Sequence, residues 1–122
     1  MNAATHPTHR FIEANGMRLC VEERGRPEGE PMLLVMGLAA QMTLWPEALL
    51  RHWVEAGYRV IRFDNRDIGL SSEIPARLQG SGVEAMLRFR LGLPVPAPYT
   101  LHDMADDALA LMDALGLERV HL

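Results

Sequence analysis

From Met32 to Phe63 the chain reads MLLVMGLAAQMTLWPEALLRHWVEAGYRVIRF. Met32–Met36 is an unbroken apolar run between Pro31 and Gly37, the pattern of a strand buried on both faces of a parallel sheet. Pro46 suits a first helical position and Gly57 a C-terminal stop. Between them Leu49, Leu50, Trp53 and Val54 share one face at helical spacing. Tyr58–Phe63 is a second buried strand. Strand, helix, strand is a βαβ unit with a right-handed crossover, and it predicts the α/β class.

Upstream, His9–Ala14 and Met17–Glu23 flank Asn15-Gly16, the strongest short-range hairpin signal. Residues 1–8 read as a flexible leader, and residues 9–122 as one α/β core unit. Downstream, residues 64–77 have no periodicity and read as a long loop. Val83–Leu91 is a short helix, and the run LPVPAP at 93–98 interrupts any regular element. Thr100 and Asp103 then form a near capping box for a helix running to about Leu115. Leu101, Met104, Ala108, Met112 and Leu115 share its apolar face, while Asp103, Asp106 and Asp107 place negative charge near its N-terminal end. Val120, His121 and Leu122 begin another apolar segment, shorter than the usual strand of about five or six residues. The expectation is a chain that stops in mid-element, as a fragment or truncated product does.

The 122 residues are enough for one domain and not for two. All 12 basic residues are Arg, none forms a stripe, and the net charge is -4, so a nucleic-acid partner is not expected. Cys20 is the only cysteine, which excludes an internal disulfide and suits a cytoplasmic protein. Neither a signal peptide nor a membrane span is expected, since the longest apolar run, Met32–Ala40, is too short and is broken by Gly37. His102 and His121 lack companion ligands at useful spacing, so no metal and no cofactor are expected. A nucleotide-binding βαβ unit fails on its glycines, because Gly37 stands alone after the first strand.

The bend after the second strand, DNRDIGLSS at 64–72, carries the densest charge beside an apolar run. Open parallel sheets place their sites in such loops. Asp64 and Arg66 could pair across it, with Gly69 supplying a backbone shape that a side chain would hinder. A carboxylate paired with Arg is quieted as a base, so the network reads as scaffold. Ser71 has no neighbouring His to activate it and reads as structural.

LLVMGLAAQMTLWP at 33–46, RVIRFDNRDIGLSS at 59–72 and YTLHDMADDALALMDALGLERVHL at 99–122 together resemble the N-terminal part of an α/β-hydrolase. The likeness is to the esterase-like branch that includes aclacinomycin methylesterase, and it runs from the hairpin onward. It implies the N-terminal half of that fold: a β-hairpin, then a mostly parallel sheet with crossover helices. In the family the segment after the third strand reads His-Gly where this chain has Met36-Gly37. The backbone N–H of the next residue, here Leu38, contributes to the oxyanion hole. The family's Asp-x-Arg-Gly-x-Gly-x-Ser bend appears as Asp64 to Ser71, with Asp67 in place of the first Gly, and it shapes structure and pocket.

The family's nucleophile elbow, Gly-x-Ser-x-Gly, is absent from these residues, and the acid and His follow it in chain order. The resemblance therefore implies hydrolysis of a carboxylic ester or similar acyl bond by a triad lying beyond this chain, and no activity for the 122 residues alone. Leu38 is the expected oxyanion donor, with Met36, Gly37 and Gln41 in the substrate pocket and Asp64, Arg66, Gly69 and Ser71 in a structural loop. The expected partners are a small apolar ester and a complementary C-terminal fragment. The competing expectation is an inactive scaffold or partner-dependent module, whose incomplete sheet would invite self-association.

Overall fold

A computed structural model describes residues 9–74 and 82–122. The proposed leader, residues 1–8, and the loop part at 75–77 lie outside the described residues. Strands β1 (Arg10–Ala14) and β2 (Met17–Arg24) pair antiparallel through Asn15-Gly16. Both turn residues have positive φ, 52° and 72°, as a type I′ hairpin requires.

Strands β3 (Glu30–Leu34) and β4 (Tyr58–Phe63) pair in parallel, with helix α1 (Glu47–Glu55) as their crossover. β4 also pairs antiparallel with β2, so the sheet runs β1-β2-β4-β3 and is mixed. Its parallel part is the β3–β4 pair, extended by a bridge from Met32 to His121 on the far edge of β3. There Leu33 N–H donates to His121 O at 2.8 Å and His121 N–H donates to Pro31 O at 2.9 Å. The short apolar end of the chain thus adds to the sheet in parallel.

Two expected boundaries move. β3 begins at Glu30 and ends at Leu34, leaving Val35 exposed and Met36 half-buried in the following loop. Pro31 is tolerated in the strand because its nitrogen, like its carbonyl, faces the outer edge of β3, so no hydrogen bond to β4 is lost. Pro46 is the N-cap of α1 and not its first helical residue, with φ -61° and ψ 132°.

Alternation along β4 feeds two cores. Ile61 and Phe63 join Ala14, Leu19, Val21 and Leu33 under Leu111 of helix α3 (Leu101–Ala114). Val60 joins Leu34 and Leu50 on the α1 side, with Trp45, Trp53 and Val54 packed around them. α1 and α3 therefore each bury apolar residues against the sheet, as a layered α/β unit demands. Helix α2 (Gly82–Arg90) has no buried residue. α3 opens on the Thr100–Asp103 capping box: Asp103 N–H donates to Thr100 Oγ1 at 3.2 Å, and Thr100 N–H to Asp103 Oδ2 at 2.7 Å. The Thr100 N–H, and after it the Thr100 hydroxyl donating to the same oxygen at 3.1 Å, hold the Asp103 carboxyl below its ordinary range. Its core face differs from the expected one: Leu101 is 81% exposed, whereas Asp107 and Leu111 are buried beside Ala108, Met112 and Leu115.

Candidate active site

β3 and β4 run in parallel, so the loops leaving their C-terminal ends lie side by side. Between those loops and the start of α3 is an open cleft of about 470 Å³. Met36, Gly37, Leu38 and Ala39 line it from the β3 loop, Asn65 and Ile68 from the β4 loop. Tyr99, Thr100, Leu101 and Met104 form the α3 side. This is the position where open α/β sheets place ligands, beyond the carboxyl ends of the strands.

The β3 loop is held in a defined shape. Ala40 N–H donates to Gly37 O at 3.3 Å, and Ala39 sits at φ 55°, so residues 37–40 form a tight turn with a left-handed third position. Alanine pays a steric cost there that glycine would not, of about 1 kcal/mol or more. The surrounding contacts hold that strained shape. Asp64 Oδ1 accepts from Met42 N–H at 2.8 Å, and Asn65 Nδ2 donates to Met36 O at 3.3 Å. Two residues from the end of β4 thereby fix both ends of the segment that bears Leu38. The Leu38 side chain is wholly exposed, and its backbone N–H has no partner among the described residues.

The bend at 64–72 is a network, with partners other than the expected ones. Asp64 bonds to the β3 loop and not to Arg66. Arg66 instead reaches α3, where its Nε donates to Asp107 Oδ2 and its Nη2 to Asp107 Oδ1, both at 2.7 Å. Asn15 Nδ2, from the hairpin turn, donates to Asp107 Oδ1 at 2.9 Å. Both Arg66 and Asp107 are buried, so one carboxylate joins hairpin, bend and helix. The pairing spans 41 residues of sequence, and no local pattern marks it. Gly69 has φ 54°, and a Cβ built there would overlap the Asp64 carboxylate. Gly69→Ala is therefore expected to cost about 1–3 kcal/mol, read as a lower midpoint in urea unfolding.

Ser71 is buried, accepts from Cys20 N–H at 2.9 Å, and donates to Asp64 O at 2.6 Å. Its hydroxyl is fully engaged in joining β2 to the end of β4. Ser71→Ala leaves the buried Cys20 N–H without its partner and is expected to cost about 1–3 kcal/mol in denaturant unfolding. An unfolding midpoint unchanged in Ser71→Ala would contradict the structural role.

Of the expected pocket residues, Met36 and Gly37 line the cleft, as does Leu38; Gln41 does not. Gln41 is exposed at the N-cap of the short 3-10 turn Met42–Leu44, its Oε1 3.5 Å from Thr43 Oγ1. The cleft residues that sequence reasoning did not assign to a site are Ala39, Asn65, Ile68, Tyr99, Thr100, Leu101 and Met104. The signal available for the last four was their place at the opening of a helix beside two parallel strand ends. Among the described residues no cluster of His, Cys, Asp or Glu could hold a metal ion, and no helix is long and apolar enough to cross a membrane.

Residues 30–122 match the alpha/beta hydrolase fold family. The chain is similar to rhodomycin D methylesterase DauP of Streptomyces sp. (strain C5), at 30% identity over 93% of this chain and 32% of that protein. It is similar also to a putative carbamate hydrolase, RutD, of Variovorax paradoxus (strain S110), at 34% over 87% of this chain and 32% of that one. Among solved structures it resembles epoxide hydrolase A of Mycobacterium thermoresistibile, with a TM-score of 0.70 and 27% identity, covering 93% of this chain and 30% of that one. The chain spans about a third of the length of the curated relatives it matches. The family match over most of its length, the parallel β3–α1–β4 unit and the cleft at its strand ends agree: the chain belongs to the α/β-hydrolase fold family.

Proposed function

We propose that this chain forms the oxyanion side and acyl-pocket wall of a hydrolase that cleaves a carboxylic ester or similar acyl bond in a small, apolar molecule. The observation that carries the reading is the Leu38 N–H, unpartnered among the described residues, on a strained and doubly tethered turn at the cleft. A donor fixed before the reaction stabilises charge that develops on the carbonyl oxygen without reorganising. It creates no charge alone, so the nucleophilic serine, its acid and its His are assigned to residues outside these 122. Met36, Ile68, Leu101 and Met104 give the cleft an apolar lining that suits an ester. The similarity to a methylesterase favours a methyl ester among the candidates.

The test is the intact mass of the natively expressed protein, under denaturing conditions, before and after treatment with a fluorophosphonate. The reading predicts a species well above 13.6 kDa that gains one phosphonyl group on a serine other than Ser71. A lone 13.6 kDa species with no adduct would contradict it and favour a packing module with the same partial fold.

A further inference from the structure

The loop that carries Leu38 has a single point fixed inside the fold. Among the described residues from 35 to 49, Met42 alone is buried. Its N–H donates to Asp64 Oδ1, and its carbonyl is held as well: Arg62 Nη1 donates to Met42 O at 2.9 Å. Arg62 and Asp64 stand two positions apart at the end of β4, so their side chains leave the same face. Between them they grip both polar groups of one residue.

The Arg62 guanidinium is itself fixed. Glu22 faces Arg62 across the β2–β4 pair, and Arg62 Nη2 donates to Glu22 Oε1 at 2.9 Å and to Oε2 at 2.8 Å. Arg24 Nε donates to Glu22 Oε1 at 2.8 Å, and Arg24 Nη2 to Glu47 Oε1 at 2.9 Å in the first turn of α1. The Arg62 and Glu22 side chains are only 5% and 6% exposed. Stability does not explain so buried a pair. Desolvation of the two charges offsets much of their attraction, and two apolar side chains of similar volume would hold the strands as well. Arg62 Nε has no partner among the described residues, an unmatched donor that an apolar residue would not leave. What an apolar pair lacks is a donor for Met42 O.

We propose that Arg62, braced by Glu22, is a positioning residue for the Leu38 N–H: it fixes Met42, and through it the shape of residues 37–42, so that the donor is held at the cleft before the reaction. The inference rests on reading Leu38 as the oxyanion donor. It adds the pair that keeps that donor in place, neither member of which lines the cleft.

The test uses the intact enzyme with both charges replaced, Glu22→Met together with Arg62→Met, which strands neither group. Its urea midpoint is expected to stay near the native one. Its kcat for a p-nitrophenyl ester is expected to fall roughly 10- to 100-fold, with KM within a few-fold, because the donor is displaced and the pocket is not. Arg62→Lys keeps a positive charge beside Glu22 but replaces two separate arms by one ammonium, and its kcat is expected to fall in the same way. A native kcat in either folded variant overturns the proposal. The loss must also pass through Leu38. In enzyme with an ester in place of the Leu38 amide, the paired substitution is expected to have little further effect on kcat. An equal fold-loss in that background places the action of Arg62 elsewhere and overturns the proposal.

A readout without ligand separates this from the hydrolase reading. The backbone amide NMR signals of Leu38 and Ala40 are expected to shift in Arg62→Lys. If they stay in place, the proposal falls and the oxyanion reading stands. If they shift while the Leu38 ester alone retains native kcat, the oxyanion reading falls and takes the proposal with it.

Discussion

Removing the Leu38 N–H from the intact enzyme is expected to lower kcat for a p-nitrophenyl ester roughly 100- to 1,000-fold, the usual loss for one oxyanion donor. Leu38→Pro deletes the N–H but also restricts the turn at residues 37–40. A semisynthetic amide-to-ester replacement at the same position removes only the donor. Both changes should leave KM within a few-fold of the native value, because the donor acts on charge that appears in the transition state. Leu38→Ala should leave kcat nearly unchanged, since the side chain is wholly exposed and the proposed donor is the backbone N–H. A loss of kcat in Leu38→Ala equal to that in Leu38→Pro would place the effect in the side chain and contradict the assignment.

The second large effect belongs to Asp107. Asp107→Ala removes one partner of a buried bidentate pair and leaves the Arg66 guanidinium uncompensated, a change that costs about 3–5 kcal/mol. A small domain has about 5–15 kcal/mol in total, so a large share of the stability would be lost. Asn15 loses its partner too, which loosens the hairpin turn from the helix. Replacing Arg66 as well, by Met, removes the stranded charge and should recover a substantial part of the loss. Urea unfolding of the two single variants and the double variant measures the coupling. Additive losses, with no recovery in the double variant, would mean that Arg66 and Asp107 do not act as a pair.

Much of the fold was legible because its signals are local. Asn15-Gly16 announces the hairpin by the positive φ that both residues tolerate, and Thr100 with Asp103 announces the start of α3 by reciprocal hydrogen bonds. The apolar runs around Leu33 and Ile61 announce strands by composition, and the helix between them makes their pairing parallel. The antiparallel β2–β4 contact left no such mark, since strand neighbours follow from the whole sheet and not from the runs themselves.

The candidate site was legible in part, for the same reason. Leu38 and Gly37 were expected from the resemblance to the α/β-hydrolases, and both line the cleft. Asp64 and Arg66 were matched to each other because they are neighbours in sequence. Their partners came instead from the β3 loop and from α3, which only the folded chain brings near. Asp107 was read as one more acid at a helix N-terminus. Its burial becomes visible only once Arg66 of the bend reaches α3 and pairs with it. Tyr99 follows the Pro-rich run at 93–98, and its place in the cleft wall depends on the start of α3 folding beside the two strand ends.

The most direct measurement is a crystal structure of the intact protein carrying a covalent phosphonate, whose phosphoryl oxygen stands where the oxyanion develops. The account predicts that oxygen in the cleft between the two strand ends, about 2.7–3.1 Å from the Leu38 nitrogen. A phosphoryl oxygen held by other donors, with the Leu38 N–H facing solvent, would contradict it.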